Sequence, residues 1–156
     1  MATLDQLKEV RERAAAIRRH IVESMGVGKP GHLGGSCSAA DILAALYFYK
    51  MRINPKDPKD PLRDRFLLSK GHVALVQYAA LAELGYIPKE EMGRVKKLGS
   101  PLQGHPDMKK LPGIEASTGS LGMGLSIGLG MAMGLREGKN RVYVMLGDGE
   151  LAEGQV

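Results

Sequence analysis

The sequence predicts an α/β protein, a parallel sheet with flanking helices, incomplete at its carboxyl end. Three observations carry that prediction. Helix-spaced apolar segments alternate with short apolar runs, RFLLS from Arg65 and VYVML from Val142, which is the order of a parallel-sheet protein. Each run leads into a glycine turn, KGH after the first and GDG after the second. The strands are too few to balance a sheet, and the last turn is followed only by ELAEGQV, the first turn of a helix. Residues 1–156 therefore read as the amino-terminal portion of one domain, the front part of something larger.

Taking the elements in order, Leu7, Val10, Ala14, Ile17 and Ile21 recur at spacings of three and four and form one apolar stripe. Gly26 and Gly28 end that helix, with His20 on its flank as a surface residue. The glycine-rich loop KPGHLGGS follows. A second helix starts near Ser38, with Asp41 three residues later in a capping-box-like pattern. NPKDPKDPLRD is a proline-punctuated loop. VALVQYAALAEL is apolar nearly all round and predicts a buried helix capped by Gly85; PKEEMGRVKK opens a short helix with Pro88 near its start. The run from Leu98 to Ser120 is too long for a plain connector and predicts a functional loop. The glycine-rich segment from about Leu121 to Arg136 predicts a second buried helix rather than a membrane span, because its hydropathy is weak.

Composition narrows the function. A hydrophobic fraction of 44% with 25% charged residues is that of a folded soluble chain. The net charge of +5 is interleaved with Asp and Glu, as in KEVRER, and lacks the aromatic clustering of a nucleic-acid surface. Neither nucleic acid nor membrane is expected as a partner. The single cysteine, Cys37, excludes an internal disulfide framework and fits a reducing cytoplasm.

Chemistry concentrates in the turns. Three of the four histidines follow a glycine where loops meet helices: Gly31-His32, Gly71-His72 and Gly104-His105. No pair has the close spacing of an HExxH metal site, so proton donors around an anionic or polyhydroxylated ligand fit better. Asp148, between two glycines after a strand, is a candidate ligand for a hard divalent ion carrying a diphosphate. Asp-Gly is also a common turn dipeptide, and GDG is neither a Walker A loop nor a GxGxxG fingerprint.

In context, GDGELAEG resembles the opening of the thiamine diphosphate fingerprint, GDG followed by EG. KPGHLGGSCSAADIL, DRFLLSKGHVALVQYAAL and LQGHPDMKKLPGIEASTGSLGMGLSIGLGMAMG resemble, in order, the GHPG, DRF-LS-GH and GHPE…PGVE-TTG-LGQG segments of transketolases. The GSLG wording is most similar to the amino-terminal subunits of two-gene transketolases.

The resemblance implies a thiamine-diphosphate-binding fold, with thiamine diphosphate and Mg²⁺ or Ca²⁺ as cofactors. It implies transfer of a two-carbon ketol unit from a ketose phosphate to an aldose phosphate, in pentose phosphate carbohydrate metabolism. Carried over by position, His32 and His105 would line the substrate channel, hydrogen-bonding sugar hydroxyls and helping proton transfer. His72 would contact the diphosphate. Gly119 and Leu121 would touch the cofactor rings, Asp148 would hold the metal, and the Gly149 amide would meet a phosphate oxygen. Glu153 would lie near a subunit interface in a carboxylate network; its plain alternative is a first-turn helix glutamate favoured by the dipole.

Leu33 stands where the family has the proline of GHPG, a wording shared with deoxyxylulose-phosphate synthases, and Met123 replaces the glutamine of LGQG. The fingerprint Asn and the pyrimidine-binding domain with its activating glutamate would lie beyond Val156. The resemblance therefore implies a chain inactive alone, completed by a pyrimidine-binding domain or carboxyl-terminal subunit in a homo- or hetero-oligomer. The alternatives are another thiamine diphosphate enzyme such as deoxyxylulose-phosphate synthase, or a non-catalytic binding domain that kept the fold.

Overall fold

The computed structural model describes residues 2–26 and 31–156. Helix α1, Leu4–Met25, starts at a capping box: the Thr3 hydroxyl accepts from the Gln6 amide at 3.2 Å, and the Gln6 side chain accepts from the Thr3 amide at 2.9 Å. Ala14, Ile17 and Ile21 are buried as the stripe predicts, and Gly26 closes the helix. Leu7 is half exposed, because residues 3–9 extend past the neighbouring elements. The expected stop at Gly28 lies outside the described residues.

Part of the glycine-rich loop is helical: α2 spans Leu33–Ser38 and α3 spans Ala40–Ala45, running on into a π-helical turn at Leu46–Lys50. Ser38 does not cap this second helix. Its hydroxyl donates to the Gly35 carbonyl at 3.0 Å, and Asp41 pairs with Arg18 of α1 instead. The proline-punctuated loop is ordered by successive side-chain turns, in which Asn54, Asp57 and Asp60 each accept from the amide two residues on.

Strands β1, Arg65–Leu68, and β2, Val142–Met145, pair in parallel with Arg65 opposite Val142 and Leu68 opposite Met145. Asp64 fixes the start of this pairing: its buried carboxylate accepts from the Arg52 amide at 2.9 Å and the Arg141 amide at 2.8 Å. The sheet faces alternate with period two. Phe66 and Leu68 face a core that includes Ile17 and Ile21 of α1, Leu43 of α3 and Tyr78 and Leu81 of the next helix, with Tyr143 and Met145 packed against it. That next helix, α4 (Ala74–Leu84), is buried along nearly its whole length and ends at Gly85 with φ +88°. After it, Pro88 leads into a short 3₁₀ helix, Lys89–Arg94.

His20 is not a plain surface residue. Its Nε2 lies 2.8 Å from Glu83 of α4, whose carboxylate also accepts from Arg13 at 3.0 Å and pairs with Lys89. The α1 flank that carries His20 faces α4.

Helix α5, Met123–Gly134, covers the other sheet face and corrects the expectation of a buried helix. Only its glycine seam is buried: at Gly128 a Cβ would overlap Val144, and at Gly124 it would overlap Ser69. Leu125, Leu129 and Met133 are exposed, because the glycines, not the long side chains, face the sheet. The last element is a 3₁₀ turn at Gly149–Ala152. Among the described residues, no helix is long and apolar enough to cross a membrane.

Candidate functional site

Parallel pairing in register brings the ends of β1 and β2 to one edge, where parallel sheets place their ligands. From β1 emerge Ser69, Lys70 and a 3₁₀ turn at Gly71–Val73 that carries His72; from β2 emerges Gly147-Asp148-Gly149. The loop before α5 closes over the same edge, because the Thr118 hydroxyl donates to the Leu68 carbonyl at 2.7 Å. A Cβ at Gly71 would stand 2.6 Å from the Thr118 carbonyl oxygen, so glycine is what lets the two segments touch.

Three histidines separated in sequence converge here. The His32 and His72 rings meet edge to face with centroids 4.7 Å apart. His105 lies across from Gly119, where a Cβ would come 3.1 Å from its Cδ2. Its loop is held by the Tyr78 hydroxyl of α4, which lies 3.0 Å from the Gln103 carbonyl and 3.1 Å from that of His105. Burial, and then the neighbouring His32, Lys70 and His105, push the His72 pKa below its usual value, against the pull of Glu150. His72 therefore favours the neutral imidazole, which can both donate and accept. His20 lies apart, on the α1–α4 seam.

On the β2 side, Asp148 and Gly149 are exposed, and nothing lies within 4 Å of where a Gly149 Cβ would be. Leu121 is half buried, and its carbonyl accepts from the Gln155 side chain. Glu153 is exposed, with its Cβ beside Gly122.

The residue that sequence reasoning missed is Glu150, only 2% exposed. One carboxylate oxygen accepts from the Ser69 hydroxyl and from the Gly122 amide at 2.8 Å; the other accepts from the Gly147 amide at 2.8 Å. Burial raises the pKa of this carboxyl, but those three donors outweigh it and hold it below the usual carboxylate range. Its one sequence signal is its place directly after GDG, where a glutamate reads as an ordinary helix-start charge.

Among the described residues, no group of three or more His, Cys, Asp or Glu could hold a metal by itself. Mg²⁺ is commonly bound through one or two carboxylates, with its ligand's phosphates and water completing the shell. One exposed carboxylate, an uncrowded glycine and a neighbouring neutral imidazole fit a metal-bound diphosphate.

The family model described as transketolase, thiamine diphosphate binding domain, matches residues 10–156. The chain is 43% identical over 154 residues to the 6-deoxy-6-sulfo-D-fructose transketolase subunit SqwG of Clostridium sp. (strain MSTE9), covering 97% of this chain and 56% of that relative. It is 43% identical over 141 residues to one of the subunits of the apulose-4-phosphate transketolase of Phocaeicola vulgatus, covering 89% and 50%. Against Homo sapiens transketolase the identity is 40%, covering 97% and 25%. The solved transketolase from Leishmania mexicana superposes with a TM-score of 0.85 at 32% identity, covering 99% of this chain and 24% of that one. A Pichia stipitis transketolase in complex with sedoheptulose-7-phosphate gives 0.82 at 35% identity, covering 93% and 23%. The chain thus spans about half the length of the two bacterial relatives and about a quarter of the longer ones.

Proposed function

This chain belongs to the transketolase family, to its thiamine diphosphate binding domain, and we propose that it supplies the diphosphate side of a transketolase active site. The observation that supports this most is the meeting, at one sheet edge, of the GDG turn, His72 and the loop through Gly119 and Leu121. In this reading residues 1–156 are the amino-terminal portion of the diphosphate-binding domain, and a pyrimidine-binding domain or carboxyl-terminal subunit completes the site. That the two bacterial relatives are named as subunits is in keeping with such a partner in a homo- or hetero-oligomer. The lone Cys37 is in keeping with a cytoplasmic setting.

Thiamine diphosphate, when bound, supplies a nucleophilic carbon and an electron sink for moving a two-carbon ketol unit from a ketose phosphate to an aldose phosphate. This chain's residues bind and orient. Asp148 would hold Mg²⁺ or Ca²⁺, the Gly149 amide would donate to a phosphate oxygen, and His72 would meet the diphosphate. Gly119, without a side chain, and half-buried Leu121 would border the rings. The exposed imidazoles of His32 and His105 would bind sugar hydroxyls and carry protons at their ring nitrogens, a contribution of about 10²–10⁴ in rate. Glu153, exposed beside Gly122, would face the completing subunit.

The test is ketol transfer by the chain joined to the remainder of its diphosphate-binding domain and combined with its pyrimidine-binding partner, thiamine diphosphate and Mg²⁺. The expected products are a ketose phosphate two carbons longer than the acceptor and an aldose phosphate two carbons shorter than the donor. A cofactor-loaded assembly that moves no ketol unit from a panel of ketose phosphates would overturn the reading.

A further inference from the structure

We propose that Glu150 is the positioning residue that assembles the diphosphate cradle from its three separate segments, an inference that rests on the cofactor reading above. Its carboxylate is buried, and every hydrogen-bond partner it has among the described residues is an uncharged donor: the Ser69 hydroxyl and the Gly122 and Gly147 amides. A buried carboxylate is costly unless its lone pairs are filled, so releasing any one arm exposes that cost. The three segments are thereby fixed relative to one another.

The placement of the arms gives this linkage its function. Ser69 is three residues before His72, Gly122 directly follows Leu121, and Gly147 directly precedes Asp148. Each arm thus holds the backbone beside a residue that would touch the ring system, the diphosphate or the metal. The Ser69 hydroxyl extends the chain of contacts by accepting from the Gly124 amide at 3.1 Å, at the start of α5. Gly122 has φ +82°, so its amide is presented to Glu150 from a left-handed turn that a side chain would disfavour. With its carboxylate taken up by these three donors, Glu150 would act through the residues that meet cofactor and metal.

The experiment compares the assembled enzyme with its Glu150→Gln variant. Glutamine keeps the shape but puts an NH₂ group where one carboxylate oxygen accepts, so a donor faces a donor on at least one arm. Amide exchange at Gly147 or Gly122 in the cofactor-free protein is expected to quicken about tenfold or more. The KM for thiamine diphosphate should rise about ten- to a hundredfold, as when a group that orients a ligand is lost. The kcat at saturating cofactor should stay within about twofold, because no reacting group is removed. Should Glu150→Gln fail to fold, Ser69→Ala removes one donor and should show the same split with a smaller rise. Cofactor affinity equal to that of the parent, with only the melting temperature lowered, would reduce Glu150 to a structural residue and overturn the proposal. A parent assembly that binds no thiamine diphosphate would overturn the cofactor reading and this inference with it, an outcome distinct from a variant that binds as well as its parent.

Discussion

His32 and His72, forty residues apart, stand edge to face with their ring centroids 4.7 Å apart. The first is the residue before α2, and the second lies in the turn leaving β1. Their contact joins the substrate-facing and diphosphate-facing sides of the proposed site. It also bears on the charge state of His72, whose pKa is lowered by burial and by its neighbours. In the cofactor-free protein, the ring protons of His72 should titrate below 6.5 by NMR. Adding thiamine diphosphate with Mg²⁺ should move that midpoint upward, because a nearby anion favours imidazolium. A midpoint unmoved by cofactor would remove His72 from the diphosphate.

The roles of His32 and His105 predict a different signature. His32→Ala and His105→Ala should each lower kcat by about 10²–10⁴ while leaving cofactor affinity near that of the parent. Equal losses in cofactor affinity would reassign them to cofactor binding.

Glu83 predicts how the fold responds to acid. Burial opposes its ionisation, but Lys89, His20 and Arg13 outweigh that and bring its pKa down to about 2. The folded chain therefore favours the carboxylate more than the unfolded chain does. Its stabilising effect is complete above about pH 4.5 and is lost as the pH falls toward 2. Glu83→Gln should cost about 1–2 kcal/mol at pH 7, and the parent and variant denaturation curves should converge across that window. A constant gap down to pH 2 would show that the ion cluster is not responsible.

The glycine seam of α5 predicts a substitution that opposes helix propensity. Alanine favours a helix by about 1 kcal/mol over glycine. At Gly128, however, the added methyl would overlap Val144 on β2. Gly128→Ala should be destabilising by about 1–3 kcal/mol in urea denaturation. Gly130→Ala, where nothing lies within 4 Å, should be neutral or stabilising.

What the sequence made legible follows from these contrasts. Short apolar runs located the strands, helical spacing the inner stripe of α1, and all-round apolarity the burial of α4, because those signals are local. The glycine-histidine pairs were legible as a set of candidates, but only that of His72 follows a strand; His32 reaches the same edge from the start of α2 and His105 from the loop before α5. The rest depended on contacts across the chain. Ser38 and Asp41 looked like a capping pair until Arg18 of α1 drew Asp41 away. His20 looked solvated until α4 brought Glu83 beside it. Apolarity along α5 suggested burial, but its orientation is set by which residues are small enough to approach the sheet. Glu150 was hidden most fully: its burial depends on Ser69 and Gly122, 81 and 28 residues away in sequence.

In the proposed site the turn after β2 would hold a metal-bound diphosphate through Asp148. Calorimetric titration of the assembled enzyme with thiamine diphosphate, with Mg²⁺ and with a chelator, tests it most directly. Binding should require the metal and fall about a hundredfold or more in Asp148→Ala, as expected when a ligating carboxylate is lost. Metal-independent binding, or an Asp148→Ala variant with the parent's affinity, would contradict it.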